Sequence, residues 1–300
     1  MPHINEHLAS KTLSKAVASV LMRTDSLKLA GPAILFAPAD RAEIIPKAAQ
    51  RADLVILDLE DGAGDVNRES AYQNIRNAHL DPTTTFVRVV GPSDDHYGQD
   101  IAFVRETEYR NIIVPKVGAR LPENLDGFNV VPIIETPAAL VNIQHFAEHP
   151  LVVGLYWGAD DLTIGLGGAY SRQRSDELTP GRYRETMAYA RSQTLIHAAA
   201  AGKWAMDAVY QDFSDDDGLY LEALDSARMG FALYPCIHPR QVDVVRRAFY
   251  PGEAQIEWAQ RIVEESSRHS GAFKLDGEMV DTPLITLAFN LLNRIKGDAT

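Results

Sequence analysis

The stretch PAILFAPADRAEIIPKAAQRADLVILDLEDG, Pro32 to Gly62, contains the unit on which the fold prediction rests. It places one short apolar run, AILFA, before a polar loop and a longer segment, and a second run, LVILDL, follows. The same order of short apolar run, polar loop and amphipathic segment recurs along the rest of the chain. This alternation is typical of βα units.

The pattern predicts eight strands. They are Ala33 to Ala37, Leu54 to Leu59, Phe86 to Val90, Ile112 to Val117, Val130 to Ile134, Val152 to Trp157, Trp204 to Tyr210 and Phe231 to Ile237. Helical patterns lie between several of them, at Arg68 to Asn77, Gln99 to Tyr109, Pro137 to Ala147, Tyr183 to Ala201 and Asp217 to Arg228. Eight βα repeats favour a closed (β/α)8 TIM barrel of the α/β class over an open, doubly wound sheet.

Helical extensions are predicted at both ends of the barrel. Residues 1–250 form the predicted barrel domain together with an N-terminal helical extension, Asn5 to Arg23. Residues 251–300 form a C-terminal helical extension with an amphipathic stretch, Ile256 to Arg268, a turn at Lys274 to Gly277 and a last helix, Pro283 to Ile295.

Composition excludes several classes of function. The 300 residues include 29 Lys and Arg against 41 Asp and Glu, a net charge of −12, which is the wrong sign for a nucleic-acid-binding protein. No apolar run approaches the roughly 20 residues of a membrane span. The single cysteine, Cys236, excludes an internal disulfide, and no secretory signal is visible, so we expect a cytoplasmic protein.

Charged residues follow the predicted strands, where the working groups of a barrel of this type lie. Glu135 is followed by Thr136 and Pro137, so Thr136 can cap the next helix and Glu135 can face the barrel mouth. Glu135 and Asp161 would project from adjacent strands, and two carboxylates favour Mg²⁺ over zinc. The alternative for an acidic residue such as Asp58 or Asp160 is that it only caps a helix.

Two cations among these residues have two interpretations each. Arg88 lies within an apolar strand, where a guanidinium needs a carboxylate or phosphate partner. It either forms a structural ion pair with Asp58 or Glu60, or contacts a substrate, and one arginine can do both. Lys116 is a candidate contact for a bound ligand at the rim or a structural partner of Glu60.

Six motifs in order resemble the citrate lyase β-subunit-like family, within the wider HpcH/HpaI aldolase and malyl-CoA lyase group. They are ILDLEDG (56–62), FVRVV with YGQD (86–100), VPKV (114–117), PIIET (132–136), WGADDL (157–162) and IHPRQV (237–242). The resemblance spans about Pro32 to Pro283. It implies a TIM barrel that binds Mg²⁺ and makes or breaks a carbon–carbon bond between an acyl-CoA enolate and a 2-keto acid.

The resemblance also assigns site residues. Glu135 and Asp161 correspond to the metal ligands, and Arg88 corresponds to the catalytic arginine that contacts the substrate. Further substrate contacts would come from Glu135 and from the backbone of Gly158 and Ala159, which receives the keto-acid carboxylate. Asp58 and Glu60 correspond to the acidic residues of the family that hold metal-bound water.

The segment from Gly277 to Asp281 matches a C-terminal family motif, G-x-M-[IV]-D. In relatives its aspartate reaches a neighbouring subunit's site as the acid or base, which makes Asp281 the candidate for proton transfer. The resemblance therefore implies a homo-oligomer, a trimer or a hexamer. The alternative is that Asp281, followed by Thr282 and Pro283, is an ordinary helix cap.

The expected activity is that of a Mg²⁺-dependent carbon–carbon lyase. It would cleave a β-hydroxyacyl-CoA such as citramalyl-CoA or malyl-CoA into acetyl-CoA and a 2-keto acid, pyruvate or glyoxylate. Relatives usually carry Arg-x-Asn where this chain has Arg88, Val89 and Val90, and this departure favours citramalyl-CoA with its extra methyl group. The alternatives are the citryl-ACP lyase subunit of a citrate lyase complex and a non-catalytic, CoA-binding regulatory barrel.

Overall fold

The computed structural model describes residues 27–61 and 67–296, with side chains described as far as residue 292. The predicted helix between Asn5 and Arg23 lies outside the described residues.

Eight parallel strands form the sheet, in the order β7-β6-β5-β4-β3-β2-β1-β8. They are β1 Ala33–Pro38, β2 Leu54–Asp58, β3 Thr85–Arg88, β4 Asn111–Val114, β5 Asn129–Ile134, β6 Gly154–Trp157, β7 Trp204–Met206 and β8 Tyr234–Cys236. A parallel bridge between Met206 and Leu233 joins the two ends of the sheet. The predicted (β/α)8 barrel is therefore confirmed.

Nine helices of the described chain accompany the strands or follow them on the outside of the barrel. They are α1 Ile45–Arg51, α2 Arg68–Ala78, α3 Tyr97–Arg105, α4 Pro137–Val141, α5 Ile143–Glu148, α6 Ala159–Gly165, α7 Glu185–Ala200, α8 Asp216–Met229 and α9 Gln241–Phe249. The segment from Pro137 to Ala147, predicted as one helix, is two short helices because the backbone departs from helical geometry at Asn142 (φ −112°, ψ 18°).

Strand β7 ends four residues before the predicted end at Tyr210. The Asp207 N–H still donates to the Leu233 carbonyl at 3.1 Å, so one inter-strand bond follows Met206 before the chain enters the loop. The Asp207 side chain is fully buried and accepts hydrogen bonds from Trp157 Nε1 at 2.7 Å and from Arg191 Nη2 at 2.6 Å. Local β-propensity does not register such a long-range contact.

Alternation along the strands determines which residues face the barrel interior. The interior cluster consists of Leu27, Ile34, Leu54, Ile56, Phe86, Ile113, Val131, Ile133, Tyr156, Met206 and Leu233. Successive side chains of a strand point to opposite faces, so the residue two places beyond an interior residue also points inward. By this rule Asp58, Arg88 and Glu135 continue the inward faces of β2, β3 and β5 at their carboxyl ends.

The C-terminal extension has its own small core. Helix α10, Glu253–Ser266, leads into a hairpin of β9, Phe273–Leu275, and β10, Glu278–Val280, and the last helix is α11, Thr282–Lys296. Asp276 and Gly277 both have positive φ, 51° and 93°, as a two-residue type I′ hairpin turn requires. The predicted turn and helices are thus present, and the extension's place in a neighbouring subunit's site stays a prediction.

Membrane-spanning character is absent from the described helices. In residues 27–61 and 67–296, none of them combines the length and apolarity that crossing a bilayer requires.

Candidate active site

A chain of ion pairs crosses the mouth of the barrel. Arg88 binds Asp58 with two hydrogen bonds, Nε to Oδ1 at 2.6 Å and Nη2 to Oδ2 at 2.7 Å. Its third nitrogen, Nη1, lies 2.9 Å from Glu60 Oε2, and Lys116 Nζ lies 2.8 Å from Glu60 Oε1. Arg88 therefore forms the ion pair with Asp58 and Glu60 that was one of its two alternatives, and Lys116 is the partner of Glu60.

The Arg88 side chain is fixed by its neighbours but remains partly exposed to solvent. Its guanidinium stacks over the Phe36 ring, 4.7 Å from the centroid, and 12% of its side chain remains exposed. Burial opposes its charge, but the ion pairs with Asp58 and Glu60 outweigh burial and raise its pKa. Arg88 is thus a fixed positive charge that still reaches the open space above the barrel.

Glu135 comes directly after β5 and is 6% exposed. Thr136 Oγ1 accepts the Ala139 N–H at 3.0 Å and caps α4, as predicted, so Glu135 takes no part in capping. Its Oε1 accepts the backbone N–H of Lys116 at 2.7 Å. Burial, together with repulsion from Asp161 and Glu60, raises the pKa of Glu135 to about 8.

Glycine at position 158 leaves the room that the Glu135 carboxylate occupies. A Cβ at this position would lie 2.5 Å from Glu135 Oε2 and 2.8 Å from its Cβ, closer than any side chain permits. The Gly158 N–H donates to the Ile134 carbonyl at 3.3 Å. Of the two backbone N–H groups predicted to receive a carboxylate, that of Gly158 is therefore used by the sheet, and that of Ala159 begins α6.

The two aspartates of the first turn of α6 differ in their surroundings. Asp160 accepts hydrogen bonds from Ser171 Oγ at 2.8 Å and from Gln211 Nε2 at 2.6 Å, which hold it to neighbouring loops. Asp161 accepts none from any side chain in the described part of the chain, and its charge acts on Glu135 and Lys116. Asp161 is consequently the one available to a ligand.

These donors fit a magnesium ion. Burial raises the pKa of Glu135, and the charges of Asp161 and Glu60 raise it further, so a cation beside these carboxylates would stabilise the charged form of Glu135. Within residues 27–61 and 67–296, no group of three or more His, Cys, Asp or Glu side chains converges to form a complete protein cage. Mg²⁺ is usually bound by one or two carboxylates and completed by water or substrate oxygens.

A cavity of about 570 Å³ opens beside the ion pairs at the rim. Its lining includes Glu60, Lys116, Arg68 and Val90. Arg68 is fixed there by Asp100, 3.1 Å away. The cavity adjoins the Glu60 carboxylate, whereas Glu135 and Asp161 are not part of its lining, and its volume exceeds that of a small acid.

Asp281 lies in the C-terminal extension, at the start of α11. Its Oδ1 accepts the Leu284 N–H at 3.4 Å, and its carbonyl accepts the Ile285 N–H at 3.0 Å. Within one chain, Asp281 therefore caps the N-terminus of α11, as the alternative interpretation of its sequence predicted. Its participation in a neighbouring subunit's site stays a prediction.

Two features of the site escaped sequence reasoning. Lys116 adopts the left-handed conformation, φ 52°, which turns its N–H toward Glu135. Phe36, on β1 two strands away from Arg88 in the sheet, supplies the ring beneath its guanidinium. The inward alternation of β1 could have indicated Phe36, whereas no local signal marks a left-handed lysine.

The family follows from comparison with known proteins. The model of the family described as HpcH/HpaI aldolase/citrate lyase matches residues 33–122 and 123–239. The chain belongs to this family. The resemblance inferred from the six motifs is therefore confirmed.

Members of the HpcH/HpaI aldolase/citrate lyase family align with nearly the whole chain. The citrate lyase subunit beta-like protein of Mycobacterium tuberculosis is 40% identical over 276 residues, 92% of this chain and 99% of that protein. The mitochondrial citramalyl-CoA lyase of Homo sapiens is 28% identical and covers 86% of this chain and 83% of its own. The crystal structure of the M. tuberculosis protein CitE in complex with magnesium, acetoacetate and coenzyme A superposes with a TM-score of 0.82 at 38% identity, covering 89% of this chain and 98% of that one.

Proposed function

We propose that this protein is a Mg²⁺-dependent carbon–carbon lyase that cleaves a β-hydroxyacyl-CoA into acetyl-CoA and a 2-keto acid. The observation that carries the proposal is the buried Glu135 carboxylate, facing Asp161 with its pKa raised to about 8. Such a pair destabilises the folded chain unless a cation binds it. The family relationship adds a CitE structure that contains magnesium and coenzyme A.

In this proposal Glu135 and Asp161 hold the metal. A bound Mg²⁺ supplies Lewis-acid polarisation of the substrate's oxygen atoms. Arg88, kept charged and oriented by Asp58, offsets the negative charge that develops on the substrate oxygen as the carbon–carbon bond breaks. The Ala159 N–H orients the keto-acid carboxylate at the start of α6.

Proton transfer falls to Asp281 of a neighbouring subunit in this proposal. The Asp281 carboxylate would accept the proton that the β-hydroxyl loses as the carbon–carbon bond breaks and would return it to the carbon of the departing acetyl-CoA enolate. A positioned carboxylate accelerates such proton transfers by about 10²–10⁴-fold. The protein is accordingly a homo-oligomer, with the C-terminal extension of one subunit at the barrel mouth of another.

Citramalyl-CoA is the proposed substrate. Val90 lies in the wall of the rim cavity, at the position where relatives usually carry asparagine, and its backbone N–H is held by Asp100 at 3.1 Å. A valine in place of an asparagine removes a polar side chain from this position, which favours the additional methyl group that distinguishes citramalyl-CoA from malyl-CoA. One methyl group is worth about 1–3 kcal/mol of discrimination.

The test measures acetyl-CoA and keto-acid formation from both thioesters, with Mg²⁺ and with a chelator. We expect turnover with Mg²⁺ only, a higher kcat/KM for citramalyl-CoA, no turnover in Glu135→Ala, and retained turnover in Asp160→Asn, the matched control. Full activity of Glu135→Ala in the presence of chelator rejects the metal site. A clear preference for malyl-CoA rejects only the choice of substrate.

A second candidate is favoured by the relative that is 40% identical and is described as citrate lyase subunit beta-like. In that case the thioester partner is an acyl-carrier protein. The same assay with a citryl-acyl-carrier-protein substrate separates the two, because a citrate lyase subunit turns over this substrate and leaves free CoA esters uncleaved. Binding of CoA without turnover of any of these substrates identifies a non-catalytic barrel.

A further inference from the structure

Tyr156 lies inside the barrel, directly below the carboxylates of the site. It is on β6, where it pairs with Ile133 of β5 and with Met206 of β7, and it belongs to the interior cluster. Gly158, two residues further on, lies on the same face and touches Glu135. The Tyr156 side chain is therefore part of the floor of the candidate site, with 4% of the residue exposed.

The hydroxyl of Tyr156 has no hydrogen-bond partner in the described part of the chain. Two other buried tyrosines do have one. Tyr72 donates to Asp100 at 2.6 Å and Tyr234 donates to Glu222 at 2.8 Å. The Tyr156 hydroxyl is also not among the sealed polar atoms of the described chain that lack a hydrogen bond, so a small molecule can reach it.

The groups around this hydroxyl are those of the site. Its charged neighbours are Arg88, Glu135, Asp58 and Glu60, and burial raises its pKa well above the ordinary value for tyrosine. The phenol therefore remains protonated and can donate. Asp58 is already bound by Arg88 and Glu135 Oε1 by the Lys116 N–H, and no hydrogen bond joins the Tyr156 hydroxyl to the other carboxylate oxygens in the described part of the chain.

We propose that the Tyr156 hydroxyl donates a hydrogen bond to an oxygen of the bound 2-keto acid, from the barrel interior. The acceptor is a ligand because the inward position leaves the hydroxyl without a partner from the described chain. This hydrogen bond would hold the keto acid from the barrel interior, while the larger part of the thioester would lie in the rim cavity. This inference rests on the proposed function for the identity of the ligand.

The matched pair of variants is Tyr156→Phe and Tyr97→Phe. The Tyr97 hydroxyl has no partner among the described residues either, but it is sealed from solvent and its ring packs in the outer layer, on α3. Each substitution removes one oxygen and keeps the ring, and thermal unfolding verifies that both variants fold. The probes are pyruvate and oxalate, titrated calorimetrically in the presence of saturating Mg²⁺, and Mg²⁺ alone.

A hydrogen bond to a charged acceptor predicts that Tyr156→Phe weakens binding of both acids by about 10–100-fold. We expect the Mg²⁺ affinity of this variant, and every affinity of Tyr97→Phe, to stay within about twofold of wild type. Acid binding by Tyr156→Phe within twofold of wild type overturns the inference and leaves the proposed function intact. Failure of the wild type to bind either acid rejects both.

A structure of the wild type with Mg²⁺ and oxalate supplies a measurement that does not depend on any variant. The inference predicts Tyr156 Oη at about 2.5–3.0 Å from an oxalate oxygen. A water molecule on the hydroxyl with oxalate beyond hydrogen-bond distance overturns it.

Discussion

Replacing Glu135 by glutamine should stabilise the metal-free protein at alkaline pH. The ordinary pKa of a glutamate is 4.5, and burial raises that of Glu135 to about 8. Between these two values the folded protein retains a proton that the unfolded chain has lost, so the free energy of unfolding falls as pH rises. The difference between these two pKa values corresponds to a decrease in the free energy of unfolding on the order of 5 kcal/mol, and this decrease is complete just above pH 8.

Glutamine removes this loss and keeps the shape of the side chain. Its carbonyl oxygen can still accept the Lys116 N–H, which now meets Glu135 Oε1 at 2.7 Å. At pH 5 the wild-type carboxyl is mostly protonated, so we expect the two proteins to have similar stability there. At pH 9 we expect Glu135→Gln to be the more stable by several kcal/mol.

Urea unfolding at pH 5, 7 and 9 with a chelator present measures this difference. Glu264→Gln serves as the control, because the Glu264 side chain is 70% exposed and its ion pair with Arg268 contributes little. Added Mg²⁺ should restore alkaline stability to the wild type and to the control, but it should have no effect on Glu135→Gln. Parallel stability curves for the wild type and Glu135→Gln across this pH range would refute the reasoning.

Three further substitutions test separate parts of the site. Gly158→Ala brings a Cβ to 2.5 Å from Glu135 Oε2 and should weaken Mg²⁺ binding by about 10–100-fold, as measured by calorimetry. The control Gly98→Ala should leave Mg²⁺ binding unchanged, because no atom lies within 4 Å of its new Cβ. Asp58→Asn removes one partner of a buried ion pair and should cost about 3 kcal/mol in urea unfolding; a loss below about 0.5 kcal/mol contradicts the importance of that pair. Asp281→Asn keeps a capping side chain, so kcat should fall by about 10²–10⁴-fold at unchanged Tm, and unchanged kcat would leave only the capping role.

Much of the barrel could be predicted from the sequence because its signals are local. Short apolar runs separated by polar loops and amphipathic segments determine the βα order. The Thr136-Pro137 step frees Glu135 from capping. These inferences depend on residues adjacent in sequence, which is where period and capping rules hold.

The features that could not be predicted depend on residues far apart in sequence. The sequence favours Asp161 over Asp160 as a metal ligand, but it gives no sign of Ser171 and Gln211, which hold the Asp160 carboxylate in the structure. The buried carboxylate of Asp207, directly after β7, depends on Arg191 of α7, which binds it at 2.6 Å. No period or cap signals such pairings before the fold brings the elements together.

Calorimetric titration of Mg²⁺ into the wild type and into Glu135→Gln, Asp161→Asn and Asp160→Asn tests the central claim most directly. The account predicts that the first two variants lose Mg²⁺ binding, while Asp160→Asn, whose carboxylate is bound to neighbouring loops, retains it. Wild-type affinity in both Glu135→Gln and Asp161→Asn would contradict the account.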